Sequence, residues 1–380
     1  MLILIPAYLI ALIIPVVSLW LIYTLDFYKT GEFRTILLCF LASLVAFWLA
    51  NEFNRTTYNE GWLERLDIIR YSAPVIEEIL KGLILWYLVS RPKFTYFVEG
   101  AVYGFAAGVG FAIIENFQYI QATGDSGVML AISRVISTNL IHASTTSILG
   151  VFLGQARFEQ SWIRRIGVGM SGLLLAMLIH IGFNNLVTRV NDGMLLIYAA
   201  ACGLISAGLI AFVIMRGLKT GKIWLEESLG MTDRVTSGEA AVVTRMEIID
   251  DILEPLAEQF GDEKASQIKD FLTKQARLGF MRKSVERLTD ERMKRGIEEE
   301  IAKLRDQVDV ARRKVGSYAM LFLRLRYTFP EDSSPLWGRL ETVIQERTAA
   351  RPTIGSVNLW ATLKSRQEEK IKPPKQESKE

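Results

Sequence analysis

Two adjacent carboxylates and a lysine, Glu77-Glu78-Ile79-Leu80-Lys81, stand inside an otherwise apolar run over residues 71–89. A run of that length is membrane-spanning material. Each ionised group near a bilayer centre costs roughly 2.5–3.5 kcal/mol on insertion scales, so charges survive there mainly when paired or used. Helical spacing supplies a pairing, since Glu77 precedes Lys81 by four residues and Glu78 precedes it by three. The bland reading is a salt bridge that only holds helices together, with Lys81 as its structural half. The two histidines of the chain, His142 and His180, fall in apolar runs as well, and so do Glu115-Asn116 and Asn184. His180 and Asn184 are four apart and share one helix face.

Depth makes these residues a set. At the helical rise of 1.5 Å per residue, Glu77 and Glu115 lie about 9 Å from the outer ends of their segments. His180 and Asn184 fall roughly 11 and 5 Å deep by the same rise. His142 is read as deeper, near the middle of its helix. Paired glutamates, two histidines and an asparagine can hydrolyse an amide. A glutamate shielded from water can act as general base on a water molecule. An imidazole and a carboxamide can donate to the developing oxyanion. The same residue types, His142, His180 and Glu77, can instead hold zinc, whose bound water then becomes the nucleophile. No His-Glu-x-x-His helix is present, and the metal-free version is the preferred of the two.

Seven apolar segments must position these groups: residues 2–25, 33–50, 71–89, 97–120, 128–153, 166–187 and 193–215. The fold class is therefore all-α, a polytopic transmembrane bundle of about seven helices followed by a helical cytoplasmic domain. Residues 1–25 lack a positive n-region and read as a retained first helix. Glycines at 100, 104 and 108 make one flat face on the fourth helix for close packing. Lysine and arginine in the loops favour an N-terminus outside and a cytoplasmic C-terminus.

Charge divides the chain. Residues 1–217 carry 14 Lys/Arg and 13 Asp/Glu, against 30 and 28 in residues 218–380. The expected organisation is 1–70 for two helices and an outer loop, 71–217 for the catalytic core, 218–364 for a charged helical domain and 365–380 for a disordered tail. Apolar stripes at spacings of four and three, Val242 to Phe260 and Ile297 to Phe322, mark helices that bury a seam and could self-associate. A net charge of +3 from interleaved signs excludes nucleic acid as the partner. Cys39 and Cys202 both lie in apolar spans, which excludes a disulfide framework.

Pro74 followed by Glu77-Glu78-x-x-Lys81, then Gly108-x-Gly110-Phe111-Ala112-x-x-Glu115-Asn116-x-x-Tyr119, then His142, then His180-x-x-x-Asn184, resembles the PrsW family of intramembrane proteases. That family sits with the CAAX-prenyl-protease and bacteriocin-processing-like membrane proteins. The resemblance covers residues 70–190 and implies a protease in a prokaryotic cytoplasmic membrane. Its partners would be the lipid bilayer and a membrane-anchored protein, cut near the extracytoplasmic face as in anti-sigma-factor release. It implies Glu77 as general base, Glu78 as its partner with Lys81, His180 and Asn184 on the oxyanion or metal, and Glu115 and His142 completing the pocket. Two other classes stay open. One is a non-enzymatic scaffold or chaperone of the same fold. The other is a proton-coupled transporter, whose relay groups should be staggered through the whole membrane rather than gathered in its outer half.

Overall fold

The glycine stripe sets the geometry of the whole membrane bundle. In the computed structural model the fourth long helix packs so closely on the fifth that a Cβ at Gly100, Gly104 or Gly108 would overlap the carbonyl oxygen of Gly150, Thr146 or His142. Small residues let helix backbones approach in lipid, where packing rather than the hydrophobic effect drives association. Gly104→Ala forces backbones apart at a point with no flexible side chain to yield. It is expected to cost at least the usual 1–3 kcal/mol or so of an overpacked core, read as a lowered thermal midpoint in detergent.

The structure describes residues 5–26, 28, 31–123, 128–189, 192–229 and 237–327, and among them only helices and turns occur. In order these are α1 (Ile5–Leu25), α2 (Phe33–Asn59), a single turn α3 (Arg65–Asp67), a π-helical turn (Ile68–Ser72) and α4 (Ala73–Val89). The bundle continues with α5 (Phe97–Thr123), α6 (Val128–Ala156), α7 (Trp162–Val187) and α8 (Asp192–Ser228). Each of the seven expected segments is a helix. α2 runs on to Asn59 and α8 on to Ser228, well past their apolar stretches. α2, α5, α6 and α7 are each long and apolar enough to cross a membrane. α5 and α6 form the buried centre. The outer helices turn Trp20, Trp48, Trp86 and Trp162 outward, as lipid-facing surfaces do.

The charged half folds onto the same unit, which spans residues 1–327. It comprises α9 (Ser237–Val243), α10 (Ile249–Phe260), α11 (Asp262–Arg287), α12 (Glu291–Val315) and α13 (Ser317–Tyr327). Both expected stripes are inward faces: Val242, Met246, Ile249, Leu253 and Leu256 are buried, as are Ile297, Ile301, Leu304, Val308, Ala311 and Val315. Tyr318 departs from the pattern and is exposed.

α11 joins the two halves. Phe280 stacks on Tyr96, ring centroids 4.7 Å apart, with Trp224 5.1 Å from the same tyrosine. Ser284 donates to the Thr95 carbonyl at 2.7 Å, and Arg277 pairs with Glu32 at 2.5 Å. The loop that ends α4 is thereby held by the charged helices. Arg157 holds it from the other side, donating to the carbonyls of Val89 and Arg91. The expected disordered tail at 365–380, and residues 328–364 before it, lie outside the described residues.

Candidate active site

Four helices bring the polar residues to one place. α4 contributes Glu77, Glu78 and Lys81, α5 contributes Glu115, α6 contributes His142 and α7 contributes His180. His142 sits level with the rest, and its ring lies edge-on to His180 with centroids 4.7 Å apart. The depth reading had placed it lower.

Lys81 is the hub, and its side chain is fully buried. Its ammonium donates to Glu78 Oε1 at 2.6 Å and to His142 Nδ1 at 2.9 Å, and lies 4.7 Å from the centroid of the Phe111 ring. Of the two glutamates within helical reach, the lysine takes Glu78 three residues back and not Glu77 four back. The pull is lateral, because α6 presents His142 on that side. Breaking such a buried pair by removing one partner costs about 3–5 kcal/mol.

The network also sets the histidine protons. His142 accepts from Lys81 at Nδ1, so its proton is on Nε2, where it is given to Glu115 Oε2 at 2.5 Å. His180 gives Nδ1–H to Glu78 Oε1 at 2.9 Å, which in the neutral ring leaves the lone pair on Nε2. The two imidazoles are therefore opposite tautomers, each fixed by the bond at its far nitrogen. Glu78 Oε1 also accepts from Thr145 at 3.0 Å, with Thr146 at 3.5 Å from its other oxygen. Thr145 follows His142 by three on α6. That spacing was visible, but hydroxyls are common in such helices and nothing in the sequence said which of them faces α4.

Glu77 stands apart. Its Oε2 is buried and has no hydrogen-bond partner among the described residues, and it lies 3.8 Å from His180 Nε2. The acceptor atoms of Glu77 and His180 thus face each other with no protein donor between them. Side-chain exposure is 11% for Glu77 and 18% for Glu115, against 3% or less for Glu78, Lys81, His142 and His180, so the cluster opens on the glutamate side.

Asn184 has a different occupation from the one expected. Pro74 has no N–H, and Ala73 N–H reaches back to the Ile68 carbonyl across the π turn. The Ile69 carbonyl is left without a helical donor. Asn184 Nδ2 donates to it at 2.8 Å, and Asn185 Nδ2 lies 3.4 Å from the Arg70 carbonyl. Arg70 Nε donates to Thr188 at 2.9 Å beside them. The end of α7 thus fastens the irregular turn that aims α4, and π turns recur at functional sites for such reasons. Asn184 thus fastens the turn that precedes α4, the helix that carries Glu77.

For a divalent ion the donors fit in type and place. Glu77, His142 and His180 each offer one atom, all within 4.8 Å of one another. Glu78 on His180 is the outer carboxylate that commonly orients a ligand imidazole. His142 would have to exchange a bond with Lys81 or Glu115 to join them.

Residues 31–218 match the model of the PrsW family, described as intramembrane metalloproteases. The chain is similar to a protein named Protease PrsW from Clostridioides difficile, 26% identical over 162 residues, 42% of this chain and 65% of that one. It is 31% identical over 122 residues to Protease PrsW of Bacillus subtilis, 32% of this chain and 54% of that one. The counterpart in Geobacillus kaustophilus is 33% identical over 88 residues, 23% and 38% of the two chains. Each of these matches spans less than two thirds of the relative's length. No solved structure matches the chain. The matched segment runs from the start of α2 into α8 and contains every residue of the cluster, and through it this membrane protein belongs to the PrsW family.

Proposed function

We propose that the protein is an intramembrane endopeptidase in which Glu77 takes a proton from a water molecule that attacks a peptide bond. The observation that carries this is the buried Glu77 Oε2, which has no hydrogen-bond partner among the described residues and lies 3.8 Å from Nε2 of His180. Two acceptors at that separation suit the two protons of one water. The tautomer changes one expected role: His180 in its Nδ1–H form cannot donate at Nε2, so it orients the water rather than the oxyanion. Glu78, Lys81, Thr145 and His142 hold that tautomer, and Glu115 completes the wall. The glutamate takes the proton in the first step and is placed to return it to the leaving amine.

The second reading keeps the same residues and adds an ion. Its support is the convergence of Glu77, His142 and His180. A bound zinc supplies a Lewis acid and a water of lowered pKa. The metal-free reading stands first because both nitrogens of His142 already have partners.

The substrate class is a membrane-anchored protein, since the cluster is built on helices of the membrane bundle. Release of an anti-sigma factor is the regulated form of such a cut. Comparing the membrane proteomes and new N-termini of cells carrying wild type or Glu77→Gln identifies the substrate. No wild-type-dependent cleavage product would leave the scaffold reading.

Orientation follows from the loop charges. With the N-terminus outside, inner loops and the exit of the last helix carry ten Lys/Arg, and outer loops carry Arg55, Arg65, Arg70 and Arg189. A cysteine at Ser365 is expected to resist an impermeant thiol reagent in intact cells and to react after lysis. Labelling in intact cells reverses the bundle and moves the site to the inner leaflet. The charged helices, α9 to α13, regulate the chemistry without taking part in it, and their surface is the candidate for self-association.

A further inference from the structure

Beyond the cluster, the α5–α6 seam carries buried amides that the protein itself does not satisfy. The seam on α5 is a stripe of every fourth residue: Gly100, Gly104, Gly108, Ala112, Asn116 and Ile120. Its first three members meet Gly150, Thr146 and His142, a step of four on each helix in opposite directions. Continued, that register sets Asn116 against residues 134–135, and Ile120 and Val135 do share one apolar cluster. The same register sets Asn139, one turn from Val135 on α6, opposite residues 111–112, which is about one turn along the seam from Asn116. The two asparagines are 1% and 4% exposed. Asn139 gives Nδ2 to the Val135 carbonyl at 2.7 Å. Its Oδ1, and both Nδ2 and Oδ1 of Asn116, have no hydrogen-bond partner among the described residues.

Each unmet buried polar group costs about 1–3 kcal/mol. Three together on facing helices are the setting in which a buried water is held, since such a water needs two to four polar partners. The position has a use. Asn116 adjoins Glu115, Asn139 is one turn from His142, and those two side chains are bonded to each other at 2.5 Å. A hydrolase inside a membrane must draw its second substrate, water, from somewhere other than bulk solvent.

We propose that Asn116 and Asn139 form a bound-water site in the α5–α6 seam and that this water replenishes the molecule held by Glu77. The proposal rests on the hydrolase reading for its purpose, though not for the presence of the water. Glu115, the most exposed member of the cluster, marks the side from which the seam fills.

The test uses the full chain in detergent and hydroxyl radicals generated by short X-ray pulses, which form from water and react beside it. Buried Ile120 and Val135 are expected to be oxidised in the wild type, while Leu85 and Leu149 in the apolar core are not. In Asn116→Leu/Asn139→Leu that oxidation should fall to the level of Leu149, with the thermal midpoint unchanged or raised. Asn116→Ser, small and polar, should keep it. Wild-type Ile120 labelled no more than Leu149 overturns the site, and that arm needs no variant to fold. A lowered midpoint in the double variant with unchanged labelling also overturns it, showing that the two amides are structural. On the substrate identified above, the double variant should lose at least tenfold in kcat with KM unchanged. Unchanged kcat overturns the supply role even where the water is present. The absence of any cleavage product that depends on the wild-type protein removes the hydrolase reading and leaves the footprint to stand by itself.

Discussion

Glu77→Gln should abolish cleavage of the membrane substrate while the protein accumulates and melts as the wild type does. The substitution keeps shape and removes only the proton acceptor, and general-base catalysis typically contributes about 10²–10⁴-fold. The Lys81 ammonium is met by Glu78 and His142, so no buried charge loses its partner when Glu77 becomes neutral. Glu78→Gln should behave in the opposite way. Glu78 Oε1 accepts from Lys81, Thr145 and His180, and neutralising it leaves a buried ammonium with no counter-ion. A loss of about 3–5 kcal/mol in stability is expected there, with a second effect on activity through the freed His180 tautomer. Two neighbouring glutamates should thus separate cleanly, one inactive and stable, the other unstable. Thermal denaturation in detergent beside product formation in membranes reads both. An active Glu77→Gln removes the base assignment, and a Glu78→Gln as stable as wild type removes the hub.

Much of this was legible because the membrane simplifies the code. Apolar length alone placed seven helices, and the penalty on buried charge made Glu77, Glu78, Lys81, Glu115, His142 and His180 stand out from their surroundings. The glycine stripe on α5 announced the close packing on α6. What the sequence withheld were relations between helices. Local spacing favours Glu77–Lys81 at four residues, but the pairing is decided by His142 on another helix, and no single-helix rule contains that. The tautomers follow only once the partners of all four imidazole nitrogens are known. The partner of Asn184 is hidden for a related reason: its amide donates to the Ile69 carbonyl, beside Pro74 and more than a hundred residues earlier. α11 was not singled out because its buried positions, from Ala265 to Ser284, fall on more than one face. It packs on its own module and on the segments that carry Thr95 and Glu32 at once, which blurs a single stripe.

The choice between water on Glu77 alone and water on an ion turns on His180. Without a metal, His180 Nε2 only steadies the water that Glu77 deprotonates. His180→Ala should then reduce kcat by about a hundredfold, the scale of a misplaced reactant. A residue of activity should survive, and a strong chelator should leave the wild type unchanged. With zinc, His180 is one of three ligands beside Glu77 and His142, all presenting atoms within 4.8 Å of one another. Its loss should then remove metal and turnover together, and chelation should do the same to the wild type, since ligand binding of zinc is linked to both folding and activity. The structure weights the first outcome. His142 holds a proton towards Glu115 and accepts one from Lys81, so a third ligand is freed only by breaking one of these bonds. A lysine ammonium 2.9 Å from one ligand nitrogen also opposes a second positive charge in the same pocket. Metal analysis of the purified wild type and of His180→Ala, with activity before and after chelation, separates the two. Stoichiometric zinc that leaves with activity and restores it on return would assign the water to the ion and recast Glu77 as its ligand.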